Sequence, residues 1–81
     1  MSDKPFAIPV RIRFGPGGVC QVSTTMEAAE LLANVDWPGE RGRKHEDAVE
    51  ACLKVLDGHR STIDARDAFA EVAREAGILL E

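Results

Sequence analysis

Between Phe6 and Phe14 apolar and polar positions alternate. Ile8, Val10, Ile12 and Phe14 fall on one side, Arg11 and Arg13 on the other. This predicts a half-buried strand over residues 6–14. Pro9 lies off the apolar side and cannot donate to a ladder, which predicts an edge position. In Gly15-Pro16-Gly17-Gly18, Pro16 suits the first central position of a type II turn, and Gly17 suits the positive φ of the second. Residues 19–22 then return as a short strand and close a hairpin. The glycines do not make a phosphate-binding loop, since the lysine and Ser/Thr of that motif are missing.

The period then changes from two to 3.6. Thr24-Thr25-Met26-Glu27 is a capping box, and Ala28, Leu31, Leu32 and Val35 follow at i, i+3, i+4 and i+7. The first helix is expected over about residues 25–35, because Pro38 biases Trp37 towards extended backbone. A second helix is expected over 43–57. Its apolar stripe is His45, Val49, Cys52, Leu53 and Leu56 with Ala48 beside it, and Glu50 and Lys54 are spaced to pair on the outer face. Gly58 offers a left-handed stop. Ser61 caps a third helix over 62–76, whose inner face is Ala65, Ala68, Phe69, Val72, Ala73 and Ala76. After Gly77, Ile78 either folds back on Ala73 or begins a third strand over 78–80. Leu80-Glu81 also has the form of the dipeptide left ahead of a purification tag, so a native and an added origin both stay open.

These elements predict a single α+β domain spanning 1–81, an antiparallel hairpin covered on one face by three helices. At 81 residues the core is small, since chains of this size bury only about 60–65% of their unfolded surface. Trp37 therefore reads as a core plug ahead of a ligand platform. No apolar run approaches a membrane span, the N-terminus lacks a signal-peptide core, and two cysteines make no disulfide framework. A cytoplasmic location is expected.

Charge singles out two regions. Residues 1–45 carry six basic and five acidic side chains, whereas residues 46–81 carry four and nine, within a net charge of −4. That balance argues against general nucleic-acid binding. The longest gap in the apolar periodicity, residues 37–45, holds Trp37, Arg41, Arg43, Lys44 and His45. Its cations stand at the start of a helix, where the macrodipole favours negative charge. Arg41, Arg43 and Lys44 with free amides form a candidate site for a phosphate or a partner's carboxylate. The plainer reading is that Glu40, Glu46 and Asp47 neutralise them in solvent. On the third helix Asp64, Asp67, Glu71 and Glu75 share a narrow arc, which reads as a solvated face or as a dock for a basic surface, including the Arg41–Lys44 loop of another copy.

No metal or cofactor is expected. His45 and Cys52 lie seven residues apart, about 10.5 Å along a helix, which is too far to share a tetrahedral ion. Cys20 and Cys52 read as structural thiols, inert without a cationic neighbour. With two scattered histidines they give little support for an enzyme.

Trp37-Pro38, Arg41-Gly42, Ala48-Val49, Ala51-Cys52-Leu53, Asp57-Gly58, Ala65-Arg66, Ala68-Phe69 and Ala73-Arg74-Glu75-Ala76-Gly77-Ile78 together resemble a small bacterial family known as domain of unknown function 982. The resemblance covers nearly the whole chain. It implies an α+β domain and supplies no reaction, ligand or catalytic residue. In many members a tyrosine or another bulky residue stands where this chain has His45, which counts against a role that requires an imidazole. The leading functional expectation is a small interaction or regulatory module with a protein partner or a second copy. The alternative is an anionic ligand or nucleic acid held through Arg11, Arg13 and the Arg41–Lys44 loop, and of these nucleic acid is the weaker.

Overall fold

The computed structural model describes residues 4–15, 17–38 and 41–80. Its elements follow in the order β1 (Pro5–Ile12), β2 (Cys20–Thr24), α1 (Thr25–Ala33), α2 (Arg43–Leu56), α3 (Thr62–Glu75) and β3 (Leu79–Leu80). The result is the expected α+β architecture. The third strand forms, and the sheet order is β2-β1-β3 with both pairings antiparallel. Phe6, Val10, Ile12 and Val22 on the sheet meet Ala28, Leu32, Ala48, Cys52, Val55, Ala65, Phe69, Val72 and Ala73 of the helices in one core.

β1 departs from simple alternation. Val10, Arg11 and Ile12 face Val22, Gln21 and Cys20 in register, but Pro5 faces Thr24, so the register shifts between Pro5 and Val10. Inserted residues turn a strand locally. Ile8, expected inward, is accordingly 65% exposed, while Phe6 and Val10 on either side of it stay buried. Pro9 is not on an edge strand, because β1 is central. It is accommodated because β3 pairs only with Arg11 and Ile12, and the ladder to β2 is already irregular at Pro9. The turn also differs from expectation. Gly18 N–H donates to the Gly15 carbonyl at 3.1 Å, but the positive φ values belong to Gly15 and Gly18 and not to Gly17. A type II turn is therefore not formed, and Pro16 lies outside the described residues.

The capping box at Thr24 is made in both directions: Thr24 Oγ1 accepts from Glu27 N–H, and Glu27 Oε1 accepts from Thr24 N–H. Thr25, the next residue, is fully buried, and its N–H and hydroxyl both donate to the Lys4 carbonyl, at 2.8 and 2.9 Å. This latch fixes α1 beside the start of β1. α1 ends at Ala33, two residues before the expected limit, so Val35 has left the helical face and is 89% exposed.

The α2 face is rotated from the stripe expected. Ala48, Ala51, Cys52 and Val55 are buried with His45, whereas Leu53 is 53% exposed and Leu56 half-buried. The physical reason is proximity: α2 packs against both α1 and α3, and small side chains let helix axes approach. Both helix ends are Schellman motifs. Gly58 N–H reaches the Val55 carbonyl and His59 N–H the Lys54 carbonyl. Gly77 and Ile78 repeat this on Arg74 and Ala73, with positive φ at each glycine. Ile78 therefore folds back on Ala73 and also leads directly into β3.

Candidate partner-binding groove

The loop between α1 and α2 begins with an electrostatic need. The last carbonyls of a helix lack partners within it and carry the negative end of its dipole. α1 has no basic residue in its last turn. The need is met from across the loop. Arg41 donates through Nη1 to the Leu32 carbonyl at 3.1 Å and through Nη2 to the Asn34 carbonyl. His45 Nε2 lies 2.7 Å from the same Leu32 oxygen. A carbonyl only accepts, so Nε2 carries the hydrogen. Asn34 N–H closes on Leu31, and Trp37 N–H donates to Asn34. Arg41 and His45 thus serve as the C-terminal cap of α1.

Trp37 is held within the same knot. It is 4% exposed, with ring centroids 5.7 Å from Phe69, 6.1 Å from Phe14 and 6.3 Å from His45. It plugs the core, and the aromatic contacts orient the chain into α2.

Arg43 and Lys44 are left outside. Both are exposed in the first turn of α2, whose N-cap, Gly42, provides no side-chain hydrogen bond. A concavity of about 530 Å³ opens there, lined by Trp37, Gly42, Arg43, Lys44, Val72, Glu75 and Ala76. One wall is cationic and carries the positive end of α2. The opposite wall is the last turn of α3, with Glu75. The structure therefore brings one end of the basic loop and one end of the acidic stripe to a single groove. Of the anion-site residues expected from the sequence, Trp37, Arg41 and His45 support the fold, while Arg43 and Lys44 face solvent. Gly39 and Glu40 lie outside the described residues.

The rest of the acidic stripe is matched locally. Among the described residues the ion pairs are Asp64 with Arg60 at 3.4 Å, Asp67 with Arg66 at 3.9 Å and Glu71 with Arg74 at 3.4 Å. The expected Glu50–Lys54 pair is not among them. All three sit at the surface, where such pairs contribute about 0–1 kcal/mol each. Glu75 is the stripe's member without an ion pair among the described residues.

No group of three or more His, Cys, Asp or Glu among the described residues is arranged to hold a metal ion. Cys52 is fully buried, and burial pushes its thiol up to about 11. The unfolded thiol ionises near 9 and the folded one about two units higher. Stability from the neutral buried thiol is thus complete below pH 9 and is lost as pH rises towards 11, at about 1.4 kcal/mol per unit. Urea denaturation at stepped pH is expected to show that decline, absent in Cys52→Ala. A thiol reagent at neutral pH is expected to modify Cys20 in the folded protein and Cys52 only on unfolding.

Two tertiary hydrogen bonds carried no signal in the sequence. They are the Thr25–Lys4 latch and Arg66 Nε donating to the Ile8 carbonyl at 2.6 Å. Both need pairings that no local spacing encodes.

Comparison with known families gives one match. The sequence profile described as protein of unknown function (DUF982) covers residues 8–80. The chain belongs to the DUF982 family. No curated protein and no solved structure matches it. The DUF982 match runs from the bulged part of β1 to the end of β3, so it includes the α1 cap, the groove and all three helices. No described helix of this DUF982 domain is long and apolar enough to cross a membrane.

Proposed function

We propose that this domain is a cytoplasmic protein-interaction module that receives an acidic group of its partner in the groove between the start of α2 and the end of α3. The observation that carries this reading is the placement of Arg43 and Lys44. They stand exposed at an N-terminus with no side-chain cap, and they line a concavity with the buried edge of Trp37. Two cations there oppose the α2 dipole, at about 0.3–1 kcal/mol each. A local rule broken without a gain in folding is best explained by a gain in binding. Glu75 on the opposite wall gives the groove polarity and so an orientation for the bound segment.

Two-dimensional amide NMR of the labelled chain, titrated with an Asp-Glu-rich peptide, tests this. Shifts are expected at residues 42–46 and 72–76. The Arg43→Ala/Lys44→Ala variant is expected to lose them while its unfolding free energy rises by about 0.6–2 kcal/mol, as two cations leave the positive end of α2. An unaltered spectrum, or equal binding by the variant, overturns the reading.

The uncapped amides of α2 favour a second reading, a phosphate-bearing small ligand in the same groove. Inorganic phosphate in the same titration separates the two. A nucleic acid is less well supported: its affinity would fall steeply with salt, and base stacking needs exposed aromatic rings, whereas Trp37 and Phe69 are buried.

A further inference from the structure

On the opposite flank of α3 lies a second groove, of about 340 Å³, between that helix and the β1–β3 edge. Its lining includes Arg11 from β1 and Arg66 and Arg74 from α3, with Ile8, Leu79 and Leu80 as apolar surface, and no described lining residue is acidic. Three arginines line it in a chain whose net charge is −4. They are only partly engaged. Arg66 spends Nε on the Ile8 carbonyl, and its Nη1 is 3.9 Å from Asp67. Arg74 is 66% exposed at its side chain and meets Glu71 through one nitrogen at 3.4 Å. Arg11 has no ion pair among the described residues and stands on the sheet between Gln21 of β2 and Leu80 of β3.

We infer that this groove binds an extended peptide segment of a partner protein in which acidic and apolar residues alternate. Guanidinium forks match carboxylates in geometry as well as charge, with up to two parallel hydrogen bonds to each. The apolar part of the ligand is called for by Ile8, which is 65% exposed, and by the half-buried Leu79 and Leu80 beside it. A bare inorganic anion would leave that surface wet. An alternating segment presents its two kinds of side chain to opposite sides, so one side can lie on the leucines while the other meets the arginines at the rim. Backbone pairing to β1 adds little here: Pro9 has no N–H, and the Ile8 carbonyl is taken by Arg66. Recognition therefore rests on side chains. This site is independent of the α2 groove, because its residues lie on other elements or on the other flank of α3.

The test is an amide NMR titration of the full chain with the acetylated, amidated pentapeptide Glu-Leu-Glu-Leu-Glu, with inorganic phosphate in a parallel arm. The peptide is expected to shift residues 8–11, 66–74 and 79–80, whatever it does at residues 42–46. Arg11→Gln/Arg74→Gln is expected to weaken it at least tenfold with the amide spectrum otherwise preserved. Arg66 is left intact because it also holds the bulge. Arg43→Ala/Lys44→Ala is expected to keep the shifts at 8–11, 66–74 and 79–80, so failure here and failure of the α2 groove are distinguishable. Three results overturn the inference: no shifts with the peptide, undiminished binding by Arg11→Gln/Arg74→Gln, or phosphate producing the same shifts at equal or lower concentration.

Discussion

Phe69→Ala is expected to lower the unfolding free energy by about 3–5 kcal/mol. Phe69 is fully buried in the middle of α3, and its ring lies 5.7 Å from that of Trp37. Its removal forfeits the transfer of a large apolar side chain and leaves a cavity bounded by secondary structure that cannot collapse freely. A domain of this size has about 4–12 kcal/mol in all, so the variant should be partly unfolded at physiological temperature. Urea denaturation followed by the fluorescence of Trp37, the only tryptophan in the chain, measures this. A loss below about 1 kcal/mol would mean that the α3 face repacks as a liquid would, contrary to the density of protein interiors.

Arg41→Ala is expected to cost about 1.5–3 kcal/mol, the range for hydrogen bonds to a charged group. The variant loses the donors to the Leu32 and Asn34 carbonyls and a cation at the negative end of α1. This contrasts with Arg43→Ala, two positions on, which is expected to stabilise by about 0.3–1 kcal/mol because a cation leaves the positive end of α2. Denaturation of the two single variants separates cap from groove, and equal small effects would remove the structural role given to Arg41. His45→Ala in the Arg41→Ala background supplies the coupling between the two donors that share one carbonyl.

The sequence made the helices legible because their signals are local. Thr24, Ser61, Gly58 and Gly77 act within one turn of chain, and each occupies the cap it suggests. The inner face of α3 was legible for a related reason, since Ala65, Phe69, Val72 and Ala73 recur at an uninterrupted helical period. What was not legible depends on partners distant in the chain. Ile8 leaves the inner face that Phe6 and Val10 keep, because of a register shift set by pairing with β2. The α2 face turns towards alanines because α3 approaches closely, and Leu53 is left outside. In the basic loop the arginines look alike in sequence. Only the position of the α1 terminus assigns Arg41 to the fold and leaves Arg43 and Lys44 exposed.

The sheet order also bears on synthesis. β1 precedes the other described strands, yet it is the middle one, and one of its neighbours is Leu79–Leu80, beyond all three helices. While the polypeptide is still being made, the hairpin and α1 can form from local contacts, but the flank of Arg11 and Ile12 that β3 covers stays open until Leu80 has cleared the ribosome. Contacts that close so long a loop come late and slowly. This sheet is therefore unsealed along one side of β1 until both residues of β3 are available, after all three helices have been made.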